Sequence, residues 1–584
     1  MADNVVENID LDNLELQQAL QVVQFTRNSI FLTGKAGTGK STFLRYIAAT
    51  TKKRYVVLAP TGIAAINAGG VTLHSFFKLP FHPLLPTDSR YSPRHIRKTL
   101  RYNGEKIKLL REVELIIIDE VSMVRADIID FIDKVLRIYC GNMREPFGGK
   151  QMLFVGDVYQ LEPVVKEEDR RLLDPFYSGS YFFNAMVFRS FPLVSIELKK
   201  VYRQKDSLFI SILDHIRMNH VTPADLAALN RRVEKGELTG RSDGEKLSIT
   251  LSTKRDNVDW TNEQELARLP GDPVVLTGEI SGEFPEGTLP TPLELRLKVG
   301  AQVMFVKNDA DRLWVNGTLG VVTGIDEDGG KIYIRTEQEP ELQVVRELWE
   351  NVRYRFNEEE KKIEEEQIGT YVQFPVKLAW AITIHKSQGL TFQNVDIDLG
   401  GGAFAGGQTY VALSRCTSLE GVRLREPVKR SDIFVKDEVL GFARHYNDRN
   451  LIGTVLKQSK ADKEYFDAAR AWDRGDYGEF IKQFFLAIHS RYDVEKPACK
   501  RLFRLKLNHF NAIKAENERL QEELDMQTKA LRRFAAEYYV LGQECEKEKM
   551  LVAAIKNYQK ALELCPDYTK AKRRIKVLEK SISQ

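Results

Sequence analysis

The segment GKAGTGKST, residues 34–42, has the spacing G-x-x-x-x-G-K-[ST], which is typical of a loop that surrounds nucleotide phosphates. Its glycines let backbone amides approach a β-phosphate, and the N-terminus of the following helix adds a favourable dipole. In such a loop Lys40 contacts the β- and γ-phosphates and Ser41 ligates Mg²⁺. The pattern predicts an ATP site with these contacts: Gly34, Gly37, Thr38, Gly39, Lys40, Ser41 and Thr42.

Two adjacent carboxylates follow the apolar run LIII in LIIIDEVSM, residues 115–123. At the end of a buried strand, one carboxylate can hold the magnesium shell while the next deprotonates a water. A nearby metal ion and lysine keep both groups ionised despite their repulsion. We therefore assign Asp119 to Mg²⁺ and Glu120 to general-base catalysis, with an ordinary pair of surface acids as the alternative.

Phosphoryl transfer also needs positive charge at the γ-phosphate. Arg203 in LKKVYRQKD and Arg415 in TYVALSRCTS lie in the second half of the predicted catalytic region. If a cleft between two lobes closes on ATP, these arginines complete the site and couple hydrolysis to lobe movement. Most arginines are solvated or ion-paired, so neither is strong evidence by itself.

The elements that position these groups are short β-branched runs alternating with helical stretches. This pattern is typical of parallel strands buried between helices, and ligands bind beyond the carboxyl ends of such strands. A second series has no second phosphate loop, so we predict two lobes and one nucleotide. The first series is SIFLTG (29–34), RYVVLAP (54–60), ELIIIDE (114–120) and QMLFVGD (151–157). The second is VSIELKK (194–200), KLSITLST (246–253), FPVKLAWAITIHKSQG (374–389) and NVDIDLG (394–400).

The composition excludes several classes of protein. With 584 residues, 43% hydrophobic and 29% charged, the chain is globular, and a net charge of +4 is too small to indicate nucleic acid. The five cysteines are far apart and lack a CxxC pair, which argues against disulfides and a zinc site. An acidic N-terminus and apolar runs far shorter than about 20 residues argue against a targeting segment and a membrane role. We expect a cytoplasmic location.

Eight motifs, in order between residue 17 and about 425, resemble those of superfamily 1 DNA helicases of the PIF (petite integration frequency) type, relatives of the RecD helicases. Residues 128–151 resemble the signature that separates this family from other superfamily 1 members. The motifs are GKAGTGKS, APTGIAA (59–65), TLHSFF (72–77), IIIDEVSM, GDVYQLEPV (156–164), KVYRQKD, AITIHKSQGLTF (381–392) and YVALSRCTS.

The resemblance implies an ATP- and Mg²⁺-dependent helicase of a bacterial nucleoid that moves 5′-to-3′ on single-stranded DNA. It implies unwinding of duplex at single-strand/double-strand junctions, and of G-quadruplexes and RNA–DNA hybrids, in repair and recombination. It assigns Gln17 to adenine, Gln160 to the γ-phosphate and Gly389 to the nucleotide. The implied DNA contacts are Thr61, His74, Phe76, Phe77, Arg94, Arg97, His385, Lys386 and Gln388.

The basic segment 76–106 supports DNA binding independently, because its cations can follow phosphates while its aromatics stack on bases; a solvated helix face is the alternative. The resemblance implies an α/β fold with two RecA-like P-loop domains, a wedge insert and an SH3-like β-barrel. The helical pattern after about residue 435 predicts an all-α tail. The expected bounds are 1–75 and 107–189 for domain 1A, 76–106 for the wedge 1B, 190–303 and 374–434 for domain 2A, 304–373 for the barrel 2B and 435–584 for the tail.

The tail departs from the family. Spacing relative to Pro566 matches a repeat of about 34 residues, which is typical of tetratricopeptide helix pairs that bind partner proteins or pack on their own chain. A stretch from Ile513 to Leu531 predicts one long helix. Two alternatives to a PIF-type helicase remain. One is a nucleotide-gated adaptor that recruits partners through these repeats. The other is a RecD-like helicase of a mobile element or conjugative relaxase, which is disfavoured because no relaxase-like His cluster or catalytic Tyr region precedes the phosphate loop at residue 34.

Overall fold

The computed structural model describes residues 10 and 12–582, except positions 81, 192, 203, 205, 235–246, 310, 312, 327–328, 340, 361 and 404. The chain divides into two compact units, Met1–Phe484 and Phe485–Gln584. Within the described residues, no helix combines the length and apolar character needed to cross a membrane.

Six parallel strands form the sheet of the first lobe in the order β3-β2-β4-β5-β1-β6. The central strands are buried because helices cover both faces, which explains their unbroken apolar runs. The strands are β1 (Ile30–Gly34), β2 (Tyr55–Ala59), β3 (Val71–Thr72), β4 (Leu115–Ile118), β5 (Gln151–Val155) and β6 (Val194–Leu198).

The position of β6 corrects one prediction. The sequence assigns VSIELKK to the second lobe, but β6 pairs in parallel with β1, with Ile30 opposite Val194. The first lobe therefore extends past the predicted boundary at residue 189. A strand at the edge of a sheet has the same apolar pattern whichever sheet it joins, so the pattern alone could not assign it.

Short polar side chains begin several of the first-lobe helices. Asn13 Oδ1 accepts a hydrogen bond from the Leu16 amide at 3.1 Å, and Thr61 and Asn103 cap two further helices in the same way. The helices are α1 (Leu14–Phe25), α2 (Lys40–Thr50), α3 (Gly62–Ala68), α4 (Leu73–Phe77), α5 (Ile96–Leu100), α6 (Gly104–Glu112), α7 (Ala126–Cys140) and α8 (Glu167–Leu173).

The second lobe has a four-stranded parallel sheet in the order β18-β7-β19-β20. Its strands are β7 (Ile249–Ser252), β18 (Ala381–Thr383), β19 (Val395–Asp398) and β20 (Val422–Leu424). Its helices are α9 (Ser207–Arg217), α10 (Pro223–Asn230), α11 (Arg255–Arg268) and α12 (Gln408–Leu413).

The insert in the second lobe is antiparallel, in three sheets ordered β14-β13-β12-β11-β17, β15-β16-β9 and β10-β8. β15 and β16 pair as a long antiparallel hairpin, and the Tyr354 hydroxyl on β15 accepts a hydrogen bond from the Val57 amide at 3.2 Å. This hairpin therefore contacts the first lobe. The strands are β8 (Val274–Thr277), β9 (Glu279–Gly282), β10 (Glu294–Leu297), β11 (Gln302–Phe305), β12 (Leu319–Ile325), β13 (Ile332–Thr336), β14 (Leu342–Val344), β15 (Glu347–Asn357), β16 (Lys362–Gln373) and β17 (Val376–Leu378).

Three helices follow the second lobe: α13 (Asp437–Ala443), α14 (Arg449–Asp473) and α15 (Tyr477–Ser490). Ile452 and Val455 of α14 are buried in one core with Leu16 and Ala19 of α1. The first unit consequently runs to Phe484, past the predicted start of the helical tail at residue 435.

The second unit contains three helices, α16 (Pro497–Lys547), α17 (Leu551–Leu564) and α18 (Thr569–Ile582). Ala554, Tyr558 and Ala561 of α17 are fully buried. A Cβ at Gly542 would lie 2.5 Å from the Tyr558 ring, so the helices need glycine there to approach each other. The predicted fold class is confirmed: two parallel α/β sheets, antiparallel inserts and a helical tail.

Candidate functional site

A cavity of about 520 Å³ lies between the two lobes, a volume typical of small-molecule sites. The loop after β1 forms one wall, and residues of the second lobe approach from the other side. The lining residues are Asp10, Leu16, Ala36, Gly37, Thr38, Gly39, Lys40, Ser41, Thr42, Arg45, Glu120, Gln160, Tyr202, Gly389 and Arg415.

The loop has the backbone geometry that phosphate binding requires. Gly37 and Gly39 have φ values of 78° and 89°, in the left-handed region that favours glycine. A Cβ at Gly34 would lie 2.6 Å from Thr38 Oγ1. The Lys40 ammonium donates hydrogen bonds to the carbonyls of Gly34 at 2.6 Å and Lys35 at 3.0 Å. The lysine is thus held over the loop that would surround the phosphates.

The two carboxylates lie just after β4. The Asp119 amide donates to the Leu58 carbonyl at 2.9 Å, and Glu120 adopts a left-handed φ of 49° that turns the chain sharply. Burial, together with the charge of Glu120, raises the pKa of Asp119 to about 7. Burial also raises the pKa of Glu120, against the opposing charges of Lys40 and Arg415.

The oxygen donors at this site fit Mg²⁺. The metal prefers one or two carboxylates, a hydroxyl and phosphate oxygens over a full set of protein ligands. Ser41 lines the cavity and Asp119 lies at the end of the adjacent strand, while the described residues contain no cluster of three or more metal-ligating side chains. The predicted pair, Ser41 and Asp119, therefore suits a magnesium ion that is completed by nucleotide phosphates.

Gln388 joins the two lobes at the cavity. Its Nε2 donates hydrogen bonds to Glu120 Oε2 at 2.8 Å and to Gln160 Oε1 at 3.2 Å. Its Oε1 is buried and has no hydrogen-bond partner in the described part of the chain. A residue predicted for DNA thus lies against two residues predicted for hydrolysis.

Arg415 is 1% exposed, yet it lines the same cavity. Its guanidinium donates to the carbonyls of Val411 at 3.0 Å and Leu390 at 3.3 Å. These hydrogen bonds fix the direction of the charge before any ligand binds. The other predicted arginine, Arg203, lies outside the described residues.

The N-terminal helix contributes to the cavity near the loop. Leu16 and Asp10 line it, whereas Gln17 is exposed on α1 and is not among the lining residues. The Tyr202 hydroxyl donates to Asp10 at 2.7 Å, and the Tyr202 amide donates to the Gly37 carbonyl at 2.8 Å. The segment that leaves β6 is therefore hydrogen-bonded to the phosphate loop.

A groove crosses the lobes next to Gln388. Ile63 and Asn67 of α3 line one side, and Lys377 and Lys386 of the second lobe line the other. Burial and the charge of Lys386 lower the pKa of Lys377 to about 8. Thr61 caps α3, so it lies at the start of the helix that faces Lys386.

The two predicted histidines are half-buried. Burial lowers the pKa of both His74 and His385, and the charge of Arg125 lowers that of His74 further. Each imidazole is therefore biased towards its neutral form, which donates or accepts hydrogen bonds instead of attracting phosphates.

The stacking role predicted for Phe76 and Phe77 is wrong for this conformation. Both rings are core residues, 3% and 0% exposed, because α4 turns them inwards. The Lys106 ammonium lies 3.3 Å from the Phe76 ring centroid, and the Tyr354 ring packs on its edge. Sequence shows that aromatics are present but does not show which way a short helix faces.

The basic insert is partly engaged within the chain. Arg90 pairs with Asp88 at 2.7 Å, and Arg97 donates to the Ile138 carbonyl at 3.2 Å. Arg94 is exposed, as is Lys98 on α5. The exposed cations of this insert are Arg90, Arg94, Arg97, Lys98 and Arg101.

Arg217 is a functional candidate that the sequence did not reveal. It is 2% exposed and forms ion pairs with Asp157 at 3.1 Å and Glu197 at 2.8 Å. Its guanidinium lies 4.3 Å from the Tyr159 ring centroid. It ends α9 of the second lobe, while its partners follow β5 and lie on β6, so no local spacing could have indicated this contact.

Comparisons with known proteins agree with this geometry. Residues 15–222 match the model of the family described as PIF1-like helicase, and residues 288–325 match the DNA helicase Pif1 2B domain. The ATP-dependent DNA helicase Pif1 of Bdellovibrio bacteriovorus is 33% identical over 440 residues, which covers 74% of this chain and 91% of that protein. The chain belongs to the PIF1-like helicase family.

Solved structures of a PIF1-like protein extend the match. The crystal structure of Bacteroides sp Pif1 with ADP-AlF4 has a TM-score of 0.68 and 39% identity, covering 75% of this chain and 97% of that one. The same protein bound to ssDNA has a TM-score of 0.54. The chain spans about 60% of the length of the rat relative, which is 35% identical over 421 residues.

Proposed function

We propose that this PIF1-like chain is an ATP-dependent DNA helicase that moves 5′-to-3′ along a single strand and unwinds the duplex ahead. Gln388 provides the main support. It lines the groove between α3 and Lys386, and it donates a hydrogen bond to Glu120 at the nucleotide cavity. A change of strand position in the groove would therefore reach the hydrolytic carboxylate through one side chain.

The proposed chemistry follows from the cavity. Glu120 accepts a proton from the attacking water, and Lys40 and Arg415 stabilise the negative charge that develops on the γ-phosphate. Magnesium, held by Ser41 and Asp119, neutralises phosphate charge when bound. Gln160 orients the γ-phosphate, and Gly389 closes the second-lobe side of the cavity.

The proposed substrates are single-stranded DNA and single-strand/double-strand junctions, followed by G-quadruplexes and RNA–DNA hybrids. The groove supports this choice because Lys377 and Lys386 line it and provide cations for a sugar-phosphate backbone. Thr61, which caps α3, and His385, which precedes Lys386, are the proposed neutral donors and acceptors beside the groove. Such a motor would work at a bacterial nucleoid.

Strand displacement tests the proposal. The wild-type chain should displace a labelled strand from a duplex with a 5′ overhang in an ATP- and Mg²⁺-dependent way, and should leave a 3′-overhang substrate intact. Lys40→Ala should displace neither, because the loop loses its charge on the phosphates. Arg231→Ala, a change at an exposed end of α10, is the control and should behave as wild type. Equal displacement by wild type and Lys40→Ala would refute the helicase.

A salt titration tests the basic insert. If Arg94 and Lys98 contact phosphates, replacing both with alanine should lower the log-log salt slope of DNA binding by roughly two. Fluorescence anisotropy of a labelled single strand gives that slope. The matched control is Arg504→Ala with Arg532→Ala, two exposed cations of the second unit. If both double variants have the same slope, Arg94 and Lys98 do not contact phosphates and belong to a solvated surface.

A nucleotide-gated adaptor with a protein partner on its helical tail is the competing proposal. A helicase should hydrolyse ATP much faster when single-stranded DNA is present, whereas an adaptor should hydrolyse it slowly in both conditions. Steady-state ATP turnover with and without a single strand separates the two.

A further inference from the structure

The long helix α16 has a stretch that no other described element of the second unit covers. Every side chain from 507 to 534 is exposed, a length of roughly 40 Å. Single helices in water are marginally stable, and most helical stability in proteins comes from packing one apolar face. The large exposed side chains in this stretch include Leu520, Leu524 and Phe534, each about half-exposed.

These apolar side chains follow a strict heptad pattern. From Phe510 to Leu541 the spacing alternates between three and four residues, which keeps one seam along the helix facing a partner. We call these ten positions the heptad stripe, and eight of them are apolar. They are Phe510, Ile513, Asn517, Leu520, Leu524, Gln527, Leu531, Phe534, Tyr538 and Leu541.

The opposite side of α16 is charged, so only one face needs a partner. Glu518, Glu522, Asp525, Lys529 and Arg532 lie off the stripe and are exposed. A helix with one apolar seam and a charged back is typical of a two-stranded coiled coil and not of a helix buried on all sides.

In the second unit, the other helices pack on the face of α16 that lies next to the heptad stripe. Ala535, next to the stripe, is fully buried, and Gly542 contacts Tyr558 of α17. Leu541, on the stripe, is still 47% exposed. The packing of α17 therefore covers the neighbouring face and part of Tyr538, while the stripe from Phe510 to Phe534 stays exposed.

The two polar positions of the stripe identify the partner. In a parallel pair of identical helices in register, Asn517 faces Asn517 and Gln527 faces Gln527. In an antiparallel pair centred on Glu522, Asn517 faces Gln527, Leu520 faces Leu524, Ile513 faces Leu531 and Phe510 faces Phe534. The parallel match holds for any helix paired with itself, whereas the antiparallel match depends on Asn517 and Gln527 lying symmetrically about Glu522. This symmetry favours a second copy of the chain as the partner.

We propose that the heptad stripe of α16 binds the same stripe of a second copy of this chain and forms a two-stranded coiled coil. Asn517 fixes the register, because a polar residue at such a position is stabilised only opposite another polar residue. The pairing makes the chain a dimer without DNA, independently of the proposed helicase activity.

Sedimentation equilibrium of the full chain without DNA tests the pairing. The wild-type chain at micromolar concentration should have twice the mass of the monomer. Leu520→Glu with Leu524→Glu places four charges in the seam of a dimer and should give a monomer. Met526→Glu is the matched control, because Met526 is 65% exposed but lies off the stripe, and this variant should stay dimeric.

A third variant keeps the test decisive if the Leu520→Glu/Leu524→Glu variant fails to fold. Asn517→Leu removes the polar layer and should tighten association at least tenfold, since apolar contacts replace a polar pair. A monomeric wild-type chain, a dimeric Leu520→Glu/Leu524→Glu variant, or weaker association of Asn517→Leu would each overturn the proposal. DNA-stimulated ATP turnover per chain should be unchanged in the Leu520→Glu/Leu524→Glu variant, so failure of the dimer and failure of the helicase are distinguishable.

Discussion

Gln388 is the side chain through which the nucleotide cavity and the interlobe groove meet. Its amide donates to Glu120 and Gln160, while its buried Oε1 has no hydrogen-bond partner in the described part of the chain. Gln388→Leu keeps the size of the side chain but removes the donor. We expect the rate of ATP hydrolysis to fall on the order of 10- to 100-fold, while nucleotide affinity stays the same.

Two measurements separate these effects: steady-state turnover with saturating single-stranded DNA, and the Kd of a fluorescent non-hydrolysable nucleotide. Gln393→Leu is the control, because this glutamine is exposed five residues later and should change neither quantity. A Gln388→Leu variant that loses affinity but keeps its turnover number would show that the residue acts in binding alone.

Functional residues that belong to contiguous motifs could be predicted from the sequence. Functional residues whose partners are distant in sequence could not. Lys40, Ser41 and Glu120 stand in contiguous motifs, and the cavity brings all three together. Arg217 belongs to no motif, because Asp157 lies 60 positions away in sequence. The Phe76 ring faces the core because of how α4 is capped and packed. Residue types alone do not determine this orientation.

The contact between α9 and the first lobe is an ion pair cut off from water. Arg217 is almost fully buried, and Asp157 would keep an unpaired buried charge without it. Removing one partner of such a pair costs about 3–5 kcal/mol. We therefore expect Arg217→Met to lower the thermal midpoint of the first unit and to raise hydrogen exchange at α9 and β6.

The conservative rescue is a double variant. Asp157→Asn with Arg217→Met removes both fully buried charges and should recover part of the lost stability, because the carboxylate that still loses its partner, Glu197, is 20% exposed to water. Arg231→Met, at the exposed end of α10, should leave the thermal midpoint unchanged. If Arg217→Met is as stable as Arg231→Met, water enters this site and solvates the Asp157 carboxylate.

Strands were predicted more reliably than the sheets to which they belong. The runs around β1, β2, β4 and β5 are apolar because helices cover both sheet faces, and this pattern is visible without a structure. The assignment of β6 failed because hydrogen bonding between strands leaves no trace in the residue types of an edge strand.

Helix α14 follows the helicase motifs in sequence, yet it contributes to the core that supports the nucleotide cavity. Ile452 and Val455 share a core with Leu16 and Ala19, and Leu16 lines the nucleotide cavity. A chain ending at residue 435 should therefore expose the apolar face of α1 and lose ATP binding or solubility. A chain ending at residue 490 keeps α14 and α15 and should retain DNA-stimulated ATP turnover.

Both truncations are checked with the full chain as reference, using turnover, nucleotide affinity and the fraction of soluble protein. Val455→Asp in the full chain is a second measurement, because it disturbs the same core without removing any helix. Equal activity of the 435 and 490 truncations would show that α1 needs no cover from α14.

The hydrogen bond between the Tyr202 amide and the Gly37 carbonyl places the connection between the lobes directly on the phosphate loop. We infer that any movement of the second lobe about this connection would act directly on the loop that surrounds the phosphates. A small displacement at this connection, of about the size of a phosphate group, would then become a larger displacement at the distant edge of the second lobe.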